Sequence, residues 1–301
     1  MNTLKIVTVA TQSNYYFPYL KESVERNGGE LVVLGSGEEW HGFNWRYQLV
    51  IEYLKTTNKT DIVCFVDGYD IICCRNLNKL TTDFLKLKNT HNCKIIVGED
   101  KYYTSEILKQ IMAYNIFNGG TCKEKFLNSG TYIGFSEDIL DVIINIYTNS
   151  ISNMDDDQLL MKKYCRLNPH DFYIDVKSEL FLTIIKPYSE IDDLVHIENG
   201  KLRYKNSEPY FIHGSSNTYL DNILLKLGYK IDNTIRNKLK DDFYKKYSLY
   251  FSPNIYNKYV ENENYKKYYV LIILILIIII SILIYGYINK KYYKKILKYI
   301  A

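Results

Sequence analysis

The six cysteines of this chain, Cys64, Cys73, Cys74, Cys93, Cys122 and Cys165, include no Cys-x-x-Cys pair, which argues against a zinc site. Their scattered spacing reads as reduced thiols, with Cys64 a small buried hydrophobe. A Gly-x-Gly-x-x-Gly fingerprint is also missing. The one early glycine loop, Gly35-Ser36-Gly37, follows the second expected strand instead of the first, so a classical dinucleotide fold is disfavoured. A net charge of +4 over 301 residues lacks the basic excess of a nucleic-acid binder, and much of it comes from lysines beyond Lys238. No nucleic-acid partner is expected. Met1-Asn2-Thr3-Leu4-Lys5 runs straight into a strand without the basic region and apolar core of a signal peptide. No internal repeat is found.

Tyrosine is abundant, at 31 residues, in the manner of AT-rich coding, and is not read as a binding device. Hydrophobic residues reach 47% and charged residues 24%, a globular balance raised by one apolar run. Residues Tyr268 to Ile288 are almost wholly apolar and about as long as a bilayer requires, with Tyr268, Tyr269, Tyr285 and Tyr287 as interface residues. The expected organisation is a catalytic domain over 1–235, a polar helical stalk over 236–267, a transmembrane helix over 268–288 and a basic tail over 289–301. Lysines 290, 291, 294, 295 and 298 place the tail in the cytosol by the positive-inside rule. The unpatterned cysteines and the N-terminus favour the other arrangement, a single-pass C-terminal anchor with a cytosolic catalytic domain. That second arrangement is the expectation taken forward.

The chain is organised around Ile62-Val63-Cys64-Phe65-Val66-Asp67-Gly68-Tyr69-Asp70. An unbroken apolar run predicts a buried central strand with parallel neighbours. Its end delivers two aspartates to the edge where open α/β sheets bind ligands. Asp67 and Asp70 can hold a hard divalent cation, which in turn holds a diphosphate. The bland alternative is a solvated turn built on Gly68. Around this strand the pattern predicts strands over Leu4–Ala10 and Glu30–Leu34 and helices over Tyr16–Arg26 and Asn44–Thr57, a β-α-β-α-β opening with right-handed crossovers.

Further on, a helix is expected over Leu80–Lys88 and a strand over Lys94–Gly98, with Glu99 and Asp100 at its end. Helices are expected over Ser105–Tyr114 and Glu137–Tyr147, and strands around 172–174, 180–184, 195–197 and 209–212. Phe126 to Phe135 combines a small-residue turn, Asn128-Ser129-Gly130, with a strand; the turn lets backbone approach a ligand or is an ordinary tight turn. In the run Asp155-Asp156-Asp157-Gln158, helix capping explains one or two of the acids. Three together repel one another, which raises the alternative of a cationic or hydroxyl-bearing ligand. His213, at a strand end before Gly214, is a metal ligand in one reading and a structural hydrogen-bonder in the other.

Six segments fall in one order: Val7-Thr8-Val9-Ala10-Thr11, Gly37-Glu38-Glu39-Trp40, Asp67-Gly68-Tyr69-Asp70, Asn128 to Gly134, Asp155 to Gln158 and Ile212-His213-Gly214. Together they resemble the glycosyltransferase domain of the multifunctional procollagen lysyl hydroxylases, a family with giant-virus homologues, over about residues 4 to 230. Nothing resembles the dioxygenase domains of those enzymes. The resemblance implies an α/β GT-A (Rossmann-like) fold that binds a UDP-sugar donor with Mn2+. It implies Asp67, Asp70 and His213 as metal ligands, and the backbone around Val9 and Thr11, with Tyr69, as the uridine contact. It sets the turn from Ser216 to Tyr219 by the diphosphate, Trp40 in the pocket wall, and Asp155, Asp156 and Asp157 beside the acceptor. The acceptor it implies is a hydroxyl of a protein or glycan, such as hydroxylysine or galactosyl-hydroxylysine of a collagen-like protein, and the sugar is glucose or galactose. Two positions depart from the family pattern: Tyr219 stands where a lysine is usual, and the basic residue of the second helix is Arg46, displaced by one.

Two other functions compete. A sugar-nucleotide-forming nucleotidyltransferase also uses acidic metal sites, but it wants a glycine-rich basic loop after the first strand, and Ala10-Thr11-Gln12-Ser13 is not one. A catalytically degenerate membrane-tethered binding module would bind UDP without turnover.

Overall fold

A computed structural model of the chain describes residues 3–102, 121–123, 125–150, 152, 156–186, 189–198, 200–235, 237–239, 273–280 and 285. The chain divides into two units, Met1–Leu239 and Lys240–Ala301. The expected helix over Ser105–Tyr114, all of the stalk but residues 237–239, Asp155 and most of the 268–288 span lie outside the described residues. Residues 273–280 are helical, and among the described residues no helix is long and apolar enough to cross a membrane.

The first unit opens as the hydrophobic pattern predicts, with β1 (Leu4–Val9), α1 (Phe17–Arg26), β2 (Leu31–Leu34), α2 (Phe43–Leu54) and β3 (Ile62–Val66). β4 (Ile71–Cys73), α3 (Leu80–His91), β5 (Ile95–Tyr102), β6 (Leu127–Phe135), α4 (Ser136–Thr148) and α5 (Asp157–Leu167) follow. Then come β7 (Phe172–Asp175), β8 (Phe181–Ile185), a hairpin of β9 (His196–Glu198) and β10 (Lys201–Arg203), β11 (Phe211–His213) and α6 (Asp221–Lys226). Among the described residues, nine strands form a mixed sheet in the order β2-β1-β3-β6-β5-β8-β11-β4, with β7 beside β5.

β1 runs parallel to both β2 and β3. The expectation of parallel neighbours for β3 holds on that edge alone, because β6 returns antiparallel on the other. The unbroken apolar run has a packing cause. Val63 and Phe65 face a core closed by Trp45, Val50, Ile143 and Ile146, while Ile62, Cys64 and Val66 face one closed by Leu20, Val24, Leu80 and Phe84. Helices cover both faces, so neither set of alternating side chains meets water. α1 reaches its face through Leu20, Ser23 and Val24, and α4 through Ile139, Val142, Ile143 and Ile146, the i, i+3, i+4 spacing of a one-sided helix.

Four details depart from the sequence reading. β4, unforeseen in a three-residue stretch, turns back from the Asp67–Asp70 segment and pairs antiparallel with β11. β5 continues to Tyr102, so Asp100 lies inside a strand and is buried. The turn expected at Asn128–Gly130 is strand, but bulged: β5 pairs Val97 with Tyr132 and Gly98 with Asn128, leaving residues 129–131 out of that ladder. Cys122 and Cys165 form a disulfide, which overturns the reading of all six cysteines as reduced thiols, while Cys64, Cys73, Cys74 and Cys93 are free and buried. Their pairing depends on chain reversal across a sequence separation of 43, which spacing alone does not reveal.

Asp175 fixes the turn that feeds β8 into the sheet. Its Oδ1 accepts the Glu179 N–H at 2.9 Å, and its Oδ2 accepts those of Leu180 at 2.7 Å and Phe181 at 2.9 Å. Burial pushes the Asp175 carboxyl up to about 6, against the pull of those three amides. The folded carboxyl therefore keeps its proton to higher pH than the unfolded one. Its contribution to stability is full below the unfolded value and is lost as pH rises through the folded one. Asp175→Ala is expected to cost about 3 kcal/mol, the loss of three backbone partners, two of them buried. Chemical denaturation followed by tryptophan fluorescence measures this. The advantage of wild type over Asp175→Asn should shrink from about pH 4 to about pH 7, and a margin that grows with pH contradicts the assignment.

Candidate active site

Asp67 and Asp70 leave the end of β3 around Gly68, and β11 brings His213 to them. β11 pairs with β4 so that His213 sits opposite Ile71, and the Gly214 N–H donates to the Asp70 carbonyl at 2.8 Å. The Asp67 N–H donates to the Gly130 carbonyl at 2.8 Å, which ties the same segment to β6. Ligand atoms of Asp67, Asp70 and His213 all lie within 4.8 Å of one another. His213 Nε2 is 3.1 Å from Asp70 Oδ1 and 3.9 Å from Asp67 Oδ2. That nitrogen is buried and faces the two carboxylates. On its far side, Nδ1 lies 3.2 Å from Asn128 Oδ1 and 3.5 Å from Thr183 Oγ1.

This donor set fits a divalent cation. A buried imidazole nitrogen faces two carboxylates, and one nitrogen with several oxygens suits Mn2+ better than Ca2+, which prefers oxygen alone. Gly130 forms the floor. A Cβ there would stand 2.3 Å from Asp67 Oδ2 and 2.7 Å from His213 Cε1, so no other residue fits without displacing the ligands. Burial lowers the His213 pKa, yet Asp70, Asp67 and Asp100 outweigh it and hold the imidazole above its ordinary value.

Arg46 joins this trio to the acidic run. On α2, buried and stacked over the Phe65 ring at 5.3 Å, its guanidinium binds Asp67 through Nη1 and Asp157 through Nη2. Burial works against its charge, but Asp67 keeps the guanidinium pKa above its ordinary value. The acidic run therefore divides. Asp156 is exposed and caps α5, accepting the Leu159 N–H at 2.9 Å, as the bland reading has it. Asp157 is buried, faces Arg46 and is further fixed by the Tyr47 hydroxyl, which donates to its carbonyl at 3.1 Å.

The other predicted residues separate into two groups. The Tyr69 hydroxyl accepts the N–H of Thr11 at 3.0 Å and of Gln12 at 3.3 Å, so Tyr69 holds the loop that follows Val9. Ser216 is exposed in a turn where it and Asn217 adopt left-handed φ values of 58° and 60°. Trp40 is 43% exposed and packs edge-on against Phe43 and against Trp45, the neighbour of Arg46. Tyr219 is 4% exposed, in the core beside Leu220 and Ile223. Asn128, Gln158, Asp100 and Gly130 were given no individual role by sequence reasoning. The clustering of small residues around Gly130 was the signal, and the close approach is to ligand side chains.

The mixed sheet carries an Asp-Asp-His trio at strand ends, with a third acid joined to it by a buried arginine, and comparison with known families identifies the domain as a glycosyltransferase domain. The family model described as the PLOD GT domain matches residues 1–240, and the chain belongs to that family. It is 27% identical over 201 residues to an uncharacterized protein of Acanthamoeba polyphaga mimivirus, covering 62% of this chain and 40% of that one. It is 26% identical over 238 residues to the procollagen-lysine,2-oxoglutarate 5-dioxygenase of Drosophila melanogaster, covering 72% and 31%. It is 26% identical over 242 residues to the multifunctional procollagen lysine hydroxylase and glycosyltransferase of Caenorhabditis elegans, covering 70% and 30%. The chain thus spans less than half the length of these relatives. A solved glycosyltransferase involved in the glycosylation of the major capsid of PBCV-1 matches at TM-score 0.44 and 15% identity, covering 72% of this chain and 96% of that one, too loose a likeness to carry an argument.

A divalent cation bound by the trio would raise the Tm, and Gly130→Ala is expected to abolish most of that gain, because its methyl group would push Asp67 and His213 apart. A Gly130→Ala protein that gains as much in Tm on Mn2+ addition as wild type does would show that the glycine does not floor the metal site.

Proposed function

We propose that this chain transfers a hexose, glucose or galactose, from a UDP-sugar to a hydroxyl acceptor. The observation that carries the reading is the meeting of Asp67, Asp70 and His213 at strand ends within the family-matched region. Asp67, Asp70 and His213 would hold a divalent cation, Mn2+ by preference, which would supply charge neutralisation for a departing diphosphate. Tyr69 holds the Thr11–Gln12 loop in place for the nucleoside, and Ser216 stands at the rim of the turn after His213. Arg46 fixes Asp157 at a set position beside the metal carboxylate, where it can orient an acceptor hydroxyl. The acceptor class proposed is hydroxylysine or galactosyl-hydroxylysine of a collagen-like protein, by analogy with the named activities of the relatives.

Membrane attachment through 268–288 is part of the same proposal. The Cys122–Cys165 bridge favours an oxidising compartment, on the opposite side from the basic tail, in place of the cytosolic side that six reduced thiols suggested. Protein isolated without reductant and then denatured should titrate four thiols. Six would return the catalytic unit to the reducing side.

Purified protein with UDP-glucose or UDP-galactose should release UDP in the presence of Mn2+ and stop when chelator is in excess. Asp157→Asn should lower turnover roughly 100-fold or more, the scale of a lost acid–base or orienting group, with UDP affinity near that of wild type. Undiminished turnover in chelator would rule out the metal-dependent reaction. UDP binding without release from any donor would favour the degenerate binding module.

A further inference from the structure

The surroundings of Asn128 leave its amide one orientation. The Gly130 N–H donates to Oδ1 at 3.0 Å, and Nδ2 donates to Asp100 Oδ1 at 2.8 Å. Turned over, the amide would set its NH2 against an N–H and its carbonyl against a carboxylate. Oδ1 therefore faces His213 Nδ1, at 3.2 Å, as an acceptor. Nδ1 must then carry a proton, and Nε2 is the nitrogen left to face Asp67 and Asp70. Metal-binding imidazoles divide their two nitrogens in this way, and the outer partner sets the ring's orientation.

Gln158 completes the frame. Its Oε1 accepts from Asn128 Nδ2 at 3.2 Å and from the Ser129 N–H at 3.2 Å, and its Nε2 donates to Asp100 Oδ2 at 3.1 Å. Gln158 follows Asp157 in the first turn of α5, so the helix that carries the acceptor-side acid also holds the amide behind the metal ligand. We propose that Asn128, held by Asp100 and Gln158, is the positioning residue that presents His213 Nε2 to the metal, and that Gln158 ties this presentation to the Asp157 helix. The inference rests on the reading of Asp67, Asp70 and His213 as a metal site.

The test uses the full chain in detergent, titrated with Mn2+ alone. Free Mn2+ is read by electron paramagnetic resonance, and the bound ion by the spin-echo modulation that a directly coordinated imidazole 14N imposes. Wild type should show that modulation. Asn128→Leu should bind Mn2+ about 10- to 100-fold more weakly and lose the modulation at saturating Mn2+, because Asp67 and Asp70 then hold the ion without the ring. Gln158→Met should shift affinity in the same direction by a smaller factor, and it decides the matter if Asn128→Leu fails to fold. Thr183→Val should match wild type in both readouts. Wild-type affinity and modulation in Asn128→Leu, or in Gln158→Met where that variant decides, would overturn the proposal. Loss of the modulation in Thr183→Val would move the role to Thr183. A wild type that binds Mn2+ without 14N modulation would instead overturn the metal reading beneath it.

Discussion

Carboxylates held close together repel one another unless a positive charge or a shared proton offsets them. Two carboxylates and a buried imidazole nitrogen come within 4.8 Å here, and the surrounding structure answers that constraint. Arg46 supplies one positive charge to Asp67 from a buried position. The acids around His213 hold its imidazole above the ordinary range despite burial. A divalent cation would meet all three ligands at once, which a single proton on His213 or one guanidinium on Asp67 does not.

Such a cluster keeps its shape only if its supports are rigid. Asp67 is pinned by its N–H to the Gly130 carbonyl, His213 by the β4–β11 ladder, and Asp70 by the Gly214 N–H on its carbonyl. The bulge in β6 releases residues 129–131 from β5 while the β3 side still pairs through Thr131, so Asn128 and Gly130 lie against the trio. The disulfide joins Cys165 on α5 to Cys122 ahead of β6. It links the two segments that carry Gln158 and Asn128, and in a chain-entropy picture a cross-link over this separation stabilises by about 4 kcal/mol.

The three consecutive acids show how one composition divides into separate physical tasks. Asp156 answers the free amides of a helix end, and the dipole favours it there. Asp157, one residue on, points inward to Arg46, a pairing that would be costly to bury unmatched. A helix turn of about 100° per residue separates the two directions, so adjacent acids need not share a role. Asp155 lies outside the described residues.

The sequence by itself determined the β-α-β-α-β opening, both faces of the central strand, and the arrival of Asp67 and Asp70 at a strand end. Those features depend on local periodicity and on apolar runs, which are written along the chain. The motif order also pointed to the family. Tertiary structure alone decided what joins across distance. The antiparallel return of β6 limited parallel pairing to one edge of β3. The three-residue β4, too short to show a period, is what seats His213 beside Asp70. The extension of β5 buried Asp100, the chain reversal paired Cys122 with Cys165, and core packing buried Tyr219. Hydrogen-bond partners such as Asn128 and Gln158 were illegible for the same reason. An amide has no periodic signature, and its role is set by which donor and acceptor the folded chain places against each of its ends.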